Sequence, residues 1–298
     1  MILKNFNFFI FFVFYNTINR IKFNLLTKIM NKVKNLLKKI IPKYFLDVYR
    51  NLNNYKSAKK FIFENNISSL IKKDIKEKYN HNSELLDIFC NNDGFLVHKW
   101  HHYIPIYEKY FSRFKGKKIR FLEIGVGKGG SLQMWIKYFG NDAIIFGIDI
   151  NHECKKFNTA TEQIRIGSQI DESFLKSVIE EMGGGVDIIL DDGSHEMKHI
   201  VKTLLFLFPN LNYDGIYMIE DLHTAYWLNY GGGYYSNNNF FKFIRDLIDE
   251  IHHWYHSKKP RHLNISKDCS GIHIHDSIVV LDKNRVFRPT HSKVGNQI

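Results

Sequence analysis

The sequence predicts an α/β fold built on a doubly wound, mostly parallel sheet, and three observations carry that prediction. From residue 118 onward short apolar strands alternate with helical stretches, the pattern of a parallel sheet covered on both faces. One strand, Ile119-Arg-Phe-Leu-Glu-Ile124, runs into Gly125-Val-Gly-Lys-Gly-Gly130 and then a helix. Two others, in Asp187-Ile-Ile-Leu-Asp-Asp-Gly-Ser-His195 and Ile216-Tyr-Met-Ile-Glu-Asp221, end in adjacent acids, which sets four carboxylates and a histidine at one edge of the sheet. Ligands of such sheets bind outside the carboxyl ends of the strands.

The elements follow in order. After the glycine loop come a helix over 131–139, strands over 143–150 and 163–167, and a helix over 172–181. Gly183-Gly-Gly185 turns the chain into a strand over 186–190, followed by a helix over 196–208 and a strand over 215–219. Beyond lie a loop rich in Gly, Asn and Tyr over 229–239, an amphipathic helix over 240–254, and a last strand region over 272–281. Ahead of the sheet, residues 45–90 read as polar helices and linker. Asn91-Asn-Asp-Gly94 is a turn, and His98-Lys-Trp-His-His-Tyr103 leads into a helix over 107–114.

At 298 residues, with 44% hydrophobic and 15% aromatic content, the chain can bury a full core, so global disorder is excluded. Its formal charge of +12 is unevenly placed: residues 1–60 hold 13 of the 42 Lys and Arg but one acid, Asp47, leaving 29 of each sign in the rest. A nucleic-acid enzyme carries its basicity around the site, so nucleic acid is not an expected partner. Three dispersed cysteines, Cys90, Cys154 and Cys269, give no zinc pattern and suit a reducing compartment.

The apolar run 6–15 is broken by Asn16, Asn19, Arg20 and Lys22 well short of the ~20 residues of a membrane span, and no small-residue cleavage site follows it. Residues 30–41 form a basic amphipathic pattern, with Val33, Leu36, Leu37, Ile40 and Ile41 on one stripe, stopped by Pro42. That pattern suits an anionic membrane surface or a docking helix equally.

Gly125, Gly127 and Gly130 match G-x-G-x-x-G, and Asp149 ends the next strand, which is formally a dinucleotide fingerprint. Glu123, two residues ahead of the first glycine, would repel a pyrophosphate and suits a ligand with a cationic end; this weighs against a nicotinamide-dependent dehydrogenase. His195-Glu-Met-Lys-His199 matches H-E-x-x-H, yet a zinc protease needs both histidines inside one helix. Here His195 directly follows a strand and its loop, and His199 reads as a solvated helix residue. Asp192, Glu220 and Asp221 offer only oxygen ligands, the preference of Mg²⁺ or Ca²⁺. A hydroxyl bound there would have a lowered pKa, and His195 could take its proton. Asp192 or Ser194 could alternatively cap the helix that starts near His195, but capping leaves Glu220 and Asp221 unexplained.

On these residues the chain resembles the class I S-adenosylmethionine-dependent methyltransferases, and within them the macrocin/mycinamicin type of sugar O-methyltransferase. The matching segments are Phe121-Leu-Glu-Ile-Gly-Val-Gly-Lys-Gly-Gly-Ser-Leu132, Gly147-Ile-Asp149, Asp191-Asp-Gly-Ser-His195 and Ile219-Glu-Asp-Leu-His-Thr-Ala-Tyr-Trp227. The resemblance implies a Rossmann-like seven-stranded sheet with its last strand antiparallel. It implies S-adenosylmethionine over Glu123, Gly125, Gly127 and Ser131, with Asp149 on the ribose, Ser168 and Gln169 near the adenine and Asp191 near the methionine part. It further implies Mg²⁺ on Asp192, Glu220 and Asp221, His195 as general base, and His98 and Tyr103 closing the cofactor pocket. His223, Tyr226 and Trp227 would face a sugar or sugar-nucleotide acceptor, which suggests bacterial surface polysaccharide synthesis in the cytoplasm or at the inner face of the membrane. The expected organisation is then a basic arm over 1–60, a helical lead-in over 61–115 and a catalytic domain over 116–298, able to form a homo-oligomer. A binding protein of the same fold that has lost turnover is the non-enzymatic alternative, opposed by the intact acids and His195.

Overall fold

A computed structural model describes residues 67–159 and 162–295, together with Lys32. The chain divides after Ala58, and all the described residues except Lys32 belong to the unit beyond that point. The apolar run 6–15 and, Lys32 excepted, the amphipathic pattern 30–41 lie outside the described residues. Among the described residues no helix is long and apolar enough to cross a membrane.

Among the described residues seven strands form one sheet: β1 (Arg120–Ile124), β2 (Ile144–Asp149), β3 (Glu162–Ile166), β4 (Val186–Asp191), β5 (Leu211–Ile219), β6 (Cys269–His275) and β7 (Ile278–Lys283). Their order is β3-β2-β1-β4-β5-β7-β6, parallel except at β7, which runs antiparallel to both neighbours. The expected strand over 272–281 is therefore a hairpin, turned by Asp276-Ser277 with Ser277 in the left-handed region at φ 64°. A short polar pair inside an apolar run reads as continued alternation, which is why the turn is invisible in the pattern.

Successive strand residues face opposite layers. Phe121, Ile145, Ile188 and Ile216 join one core cluster, while Leu122, Phe146, Ile189 and Tyr217 join the other. The first layer is closed by α1 (Ser68–Tyr79), α2 (Glu84–Cys90), α3 (Tyr103–Phe111) and α4 (Gly130–Phe139). The second is closed by α5 (Glu172–Glu181), α6 (Met197–Leu207) and α7 (Phe240–Ile251). The lead-in helices thus share one core with the sheet: Ile75, Leu85, Tyr107 and Phe111 are fully buried in it. α2 starts where Ser83 Oγ accepts the amide of Leu86. α3 begins four residues ahead of the expected helix because Pro105 sits in its first turn, where proline costs no hydrogen bond.

The register sets the site. Ile124 pairs with Ile148 of β2 and with Asp191 of β4, and Asp191 pairs with Ile219 of β5. Gly125, Asp192 and Glu220, which follow β1, β4 and β5, and Asp149, the last residue of β2, therefore emerge along one edge. The order reverses between β1 and β4, the switch point where such sheets bind ligands.

Trp135 and Phe111, both fully buried, anchor an aromatic cluster with Tyr107, Phe121 and Phe139. Phe111→Ala should lower the unfolding free energy by about 3–5 kcal/mol in urea titration. A loss below about 1 kcal/mol would mean that this layer is not tightly packed.

Candidate active site

The glycine loop is shaped by close approaches. Gly125 has φ 93°, and a Cβ there would come within 2.1 Å of the Asp192 carbonyl oxygen, so only glycine lets the loop after β1 lie against the loop after β4. Gly130, opening α4, meets the backbone of Phe95 and Leu96 in the same way, at 2.4 Å. Asp149 ties the loop down: its Oδ2 accepts the amides of Val126 (3.0 Å) and Gly127 (3.1 Å), and Oδ1 accepts that of Asn151. Two amides fill the lone pairs of Oδ2, but Oδ1 accepts only one, which leaves Asp149 able to accept a further hydroxyl there. Ser168 lies near the same edge and its Oγ accepts the amide of Ile170.

Other residues expected on the cofactor also brace the loops around it. Glu123 is fully buried beneath the loop, where Ser131 Oγ donates to Oε2 (2.8 Å) and Trp135 Nε1 to Oε1 (3.4 Å). Burial pushes its carboxyl up to about 7, partly offset by Lys99. An acid this enclosed does not present a charge to a ligand, so Glu123 gives no ground for excluding a pyrophosphate. Gln169 accepts the Ser194 amide (2.7 Å) and donates to Thr203 and Asp191, fastening the loop after β4. Asp191, 2% exposed, accepts from the Tyr217 hydroxyl (3.1 Å) and the Gly193 amide, and burial lifts it to about 6.

Asp192, His195 and Asp221 converge, with one ligand atom of each within 4.8 Å of the others. His195 Nε2 stands 3.9 Å from both Asp192 Oδ1 and Asp221 Oδ2. His195 (φ 57°) and Asp221 (φ 55°) are both in the left-handed region, a strain of order 1–2 kcal/mol each that the packing sustains at this site. Neither Asp192 nor Ser194 caps α6 with a side-chain bond. The Ser194 hydroxyl accepts the Glu196 amide and shares a hydrogen bond with His199, which is therefore not merely solvated.

Glu220 is also present, but it is 1% exposed and occupied by a residue the sequence did not announce. Lys99, buried, donates from Nζ to Asp192 Oδ2 (2.7 Å) and Glu220 Oε2 (2.9 Å). Burial opposes its charge, yet the carboxylates outweigh burial and hold the ammonium well above its ordinary pKa. Glu220 Oε1 makes no well-formed hydrogen bond, although the buried Tyr107 hydroxyl lies close enough to Glu220 to favour its ionised form. The carboxylates of Asp192 and Asp221, with His195 beside them, offer the hard oxygen donors that a divalent cation prefers. Tyr103 is buried and bonded to Asp221: its hydroxyl donates to Oδ1 (2.7 Å) and shares a hydrogen bond with Ser277 of the hairpin turn (2.9 Å). Ser277 Oγ also meets the amide (3.0 Å) and Nδ1 (2.8 Å) of His223.

Around the cluster the His223 ring packs edge-on between Trp100 (5.4 Å) and Trp227 (4.9 Å). Tyr226 turns elsewhere, against Tyr234 and Phe241. His98 is exposed; with Trp100, His101 and His102 it lines a cavity of about 730 Å³ closed by α1.

With this geometry in hand the class is defined: the fold is that of the class I S-adenosylmethionine-dependent methyltransferases. A methyltransferase of the mycinamycin pathway, solved with Mg, S-adenosylhomocysteine and mycinamycin VI, superposes with TM-score 0.58 at 28% identity, covering 72% of this chain and 53% of that one. In sequence the chain is similar to the macrocin/mycinamicin sugar O-methyltransferases. It is 31% identical to mycinamicin VI 2''-O-methyltransferase of Micromonospora griseorubida over 66% of this chain and 51% of that protein. It is 35% identical to 8-demethyl-8-(2-methoxy-alpha-L-rhamnosyl)-tetracenomycin-C 3'-O-methyltransferase of Streptomyces olivaceus, over 62% and 50% respectively. Demethylmacrocin O-methyltransferase of Streptomyces fradiae is 30% identical over 63% and 51%. The chain spans about half the length of the curated relatives it matches. No family model matches it.

Glu123 carries a proton more tightly in the folded chain than the ordinary carboxylate value of 4.5 allows in the unfolded one. Its contribution to stability is therefore lost as pH rises from about 4.5 to about 7, with Asp191 acting in the same direction. Glu123→Gln should flatten that limb by about 3 kcal/mol between the two ends, read from urea unfolding at pH 5 and pH 8. An unchanged slope would show that Glu123 is not enclosed.

Proposed function

We propose that this chain is an S-adenosylmethionine-dependent, Mg²⁺-assisted O-methyltransferase acting on a sugar hydroxyl. The observation that carries the proposal is the convergence of Asp192, His195 and Asp221 beside the glycine loop at the switch point of the sheet. The relatives whose names specify a sugar position, and a structural neighbour holding Mg and S-adenosylhomocysteine, support the same reading.

S-adenosylmethionine belongs over Gly125 and Gly127, with Asp149 toward the ribose and Ser168 near the adenine. Mg²⁺ belongs on Asp192 and Asp221, with Glu220 behind them, and when bound it supplies charge that favours the ionised form of the acceptor hydroxyl. The rest is the work of this chain's own residues. His195 Nε2 faces the gap between the two carboxylates and takes the hydroxyl proton. The acceptor oxygen then forms a bond to the methyl carbon as the carbon–sulfur bond breaks, leaving neutral S-adenosylhomocysteine. Alignment of the two substrates, by the loop on one side and the His223, Trp100 and Trp227 rings on the other, supplies the remaining rate.

The acceptor we favour is a bacterial surface glycan unit or its sugar-nucleotide precursor, methylated in the cytoplasm. The lysine-rich stretch 30–41 gives a sequence reason to place the enzyme at an anionic membrane, and the edge strand β6 offers a surface for a homo-oligomer.

His195→Ala should lower transfer of labelled methyl from S-adenosylmethionine to a glycoside or sugar nucleotide by about 10²-fold or more, with S-adenosylhomocysteine affinity near that of the parent. Unchanged transfer would remove His195 from the mechanism.

A further inference from the structure

Two side chains each take an oxygen from the acid cluster. Tyr103 holds Oδ1 of Asp221, and Lys99 holds Oδ2 of Asp192 together with Oε2 of Glu220. What remains open to a cation is Asp192 Oδ1 and Asp221 Oδ2, while Glu220 Oε1 makes no well-formed hydrogen bond. The group of atoms near enough to hold one ion comprises Asp192, His195 and Asp221; Glu220 is left out of it, on the ammonium. A second cation entering here must share Asp192 with a full positive charge fixed on the same carboxylate.

We propose that Lys99 is a positioning residue that sets the metal affinity of the site: it competes with the divalent cation for Asp192 and Glu220 and keeps binding weak and exchangeable. The inference rests on the reading of this cluster as a metal site. Lys99 also keeps the acids assembled without a metal, since three neighbouring carboxylates with no cation would repel one another and pay heavily for burial. The site is thereby preformed for a metal that arrives and leaves.

The test is calorimetric titration of the full chain with Mn²⁺ at about pH 8, comparing the parent, Lys99→Met, and Lys99→Met with Glu220→Gln. Competition predicts that Lys99→Met binds Mn²⁺ about tenfold or more tighter than the parent, the scale of one charge withdrawn from a few ångströms away. The double variant should give back most of that gain, because the freed Glu220 supplies it. An affinity for Lys99→Met equal to or weaker than the parent's overturns the proposal. Should the single variant fail to fold, the charge-balanced double variant decides: binding at least as tight as the parent supports competition, and binding more than about tenfold weaker overturns it. A parent chain that takes up no Mn²⁺ at millimolar concentration, with or without S-adenosylhomocysteine, would remove the metal-site reading itself.

Discussion

A buried ammonium between two carboxylates organises the whole carboxyl edge of this sheet. Lys99 lies 93 residues from Asp192 and 121 from Glu220, and their side chains are 3%, 22% and 1% exposed. Breaking such a pair from one side leaves an uncompensated interior charge, a cost of about 3–5 kcal/mol. The pair therefore fastens the segment leading into α3 to the ends of β4 and β5, and with it the rings of Trp100 and His102. The path of residues 92–102 over the sheet edge is held by this pair, by the close approach of Leu96 to Gly130 and by the Phe95 amide on Gln133 Oε1 (2.9 Å).

The strained backbone at His195 and Asp221 persists because tertiary bonds determine it. Asp221 is held by Tyr103, its amide by the same hydroxyl, and the following residue by a bond from the Leu222 amide to the Ser277 carbonyl. The β6–β7 hairpin thus does more than widen the sheet, because its turn supplies Ser277, which positions both Tyr103 and His223. Gln169 performs the corresponding task for the loop after β4. Asp192 and Asp221, which face the gap, are each held by a buried residue behind them, Lys99 and Tyr103 respectively, the arrangement that preorganised catalysis requires.

Much of this is legible in the sequence because it is local. Strands buried on both faces read as apolar runs, the glycine loop announces a turn only glycine can make, and adjacent acids at strand ends mark the edge. The antiparallel last strand follows from resemblance, while the hairpin behind it hides inside one alternating run. Lys99 is illegible for a different reason: in a chain with 42 Lys and Arg one lysine carries no signal, and its partners are remote in sequence. Its neighbours His98, Trp100, His101 and His102 do mark the segment as unusual. The resemblance assigns Glu123, Gln169 and Asp191 to the ligand; that they also brace the loops around it rests on burial, which is a property of the fold. The resemblance places both Tyr226 and Trp227 at the acceptor, and the short helical turn Leu222–Tyr226 sends the two rings to different neighbours.

The functional reading depends most on which ligand lies over the glycine loop, now that the charge of Glu123 no longer decides the point. Calorimetric titration of the full chain with S-adenosylhomocysteine and, separately, with NAD⁺, each with and without Mg²⁺, measures this directly. A methyltransferase should show saturable binding of S-adenosylhomocysteine and none of NAD⁺. Binding of NAD⁺ without S-adenosylhomocysteine would contradict that reading and make the G-x-G-x-x-G loop a dinucleotide site.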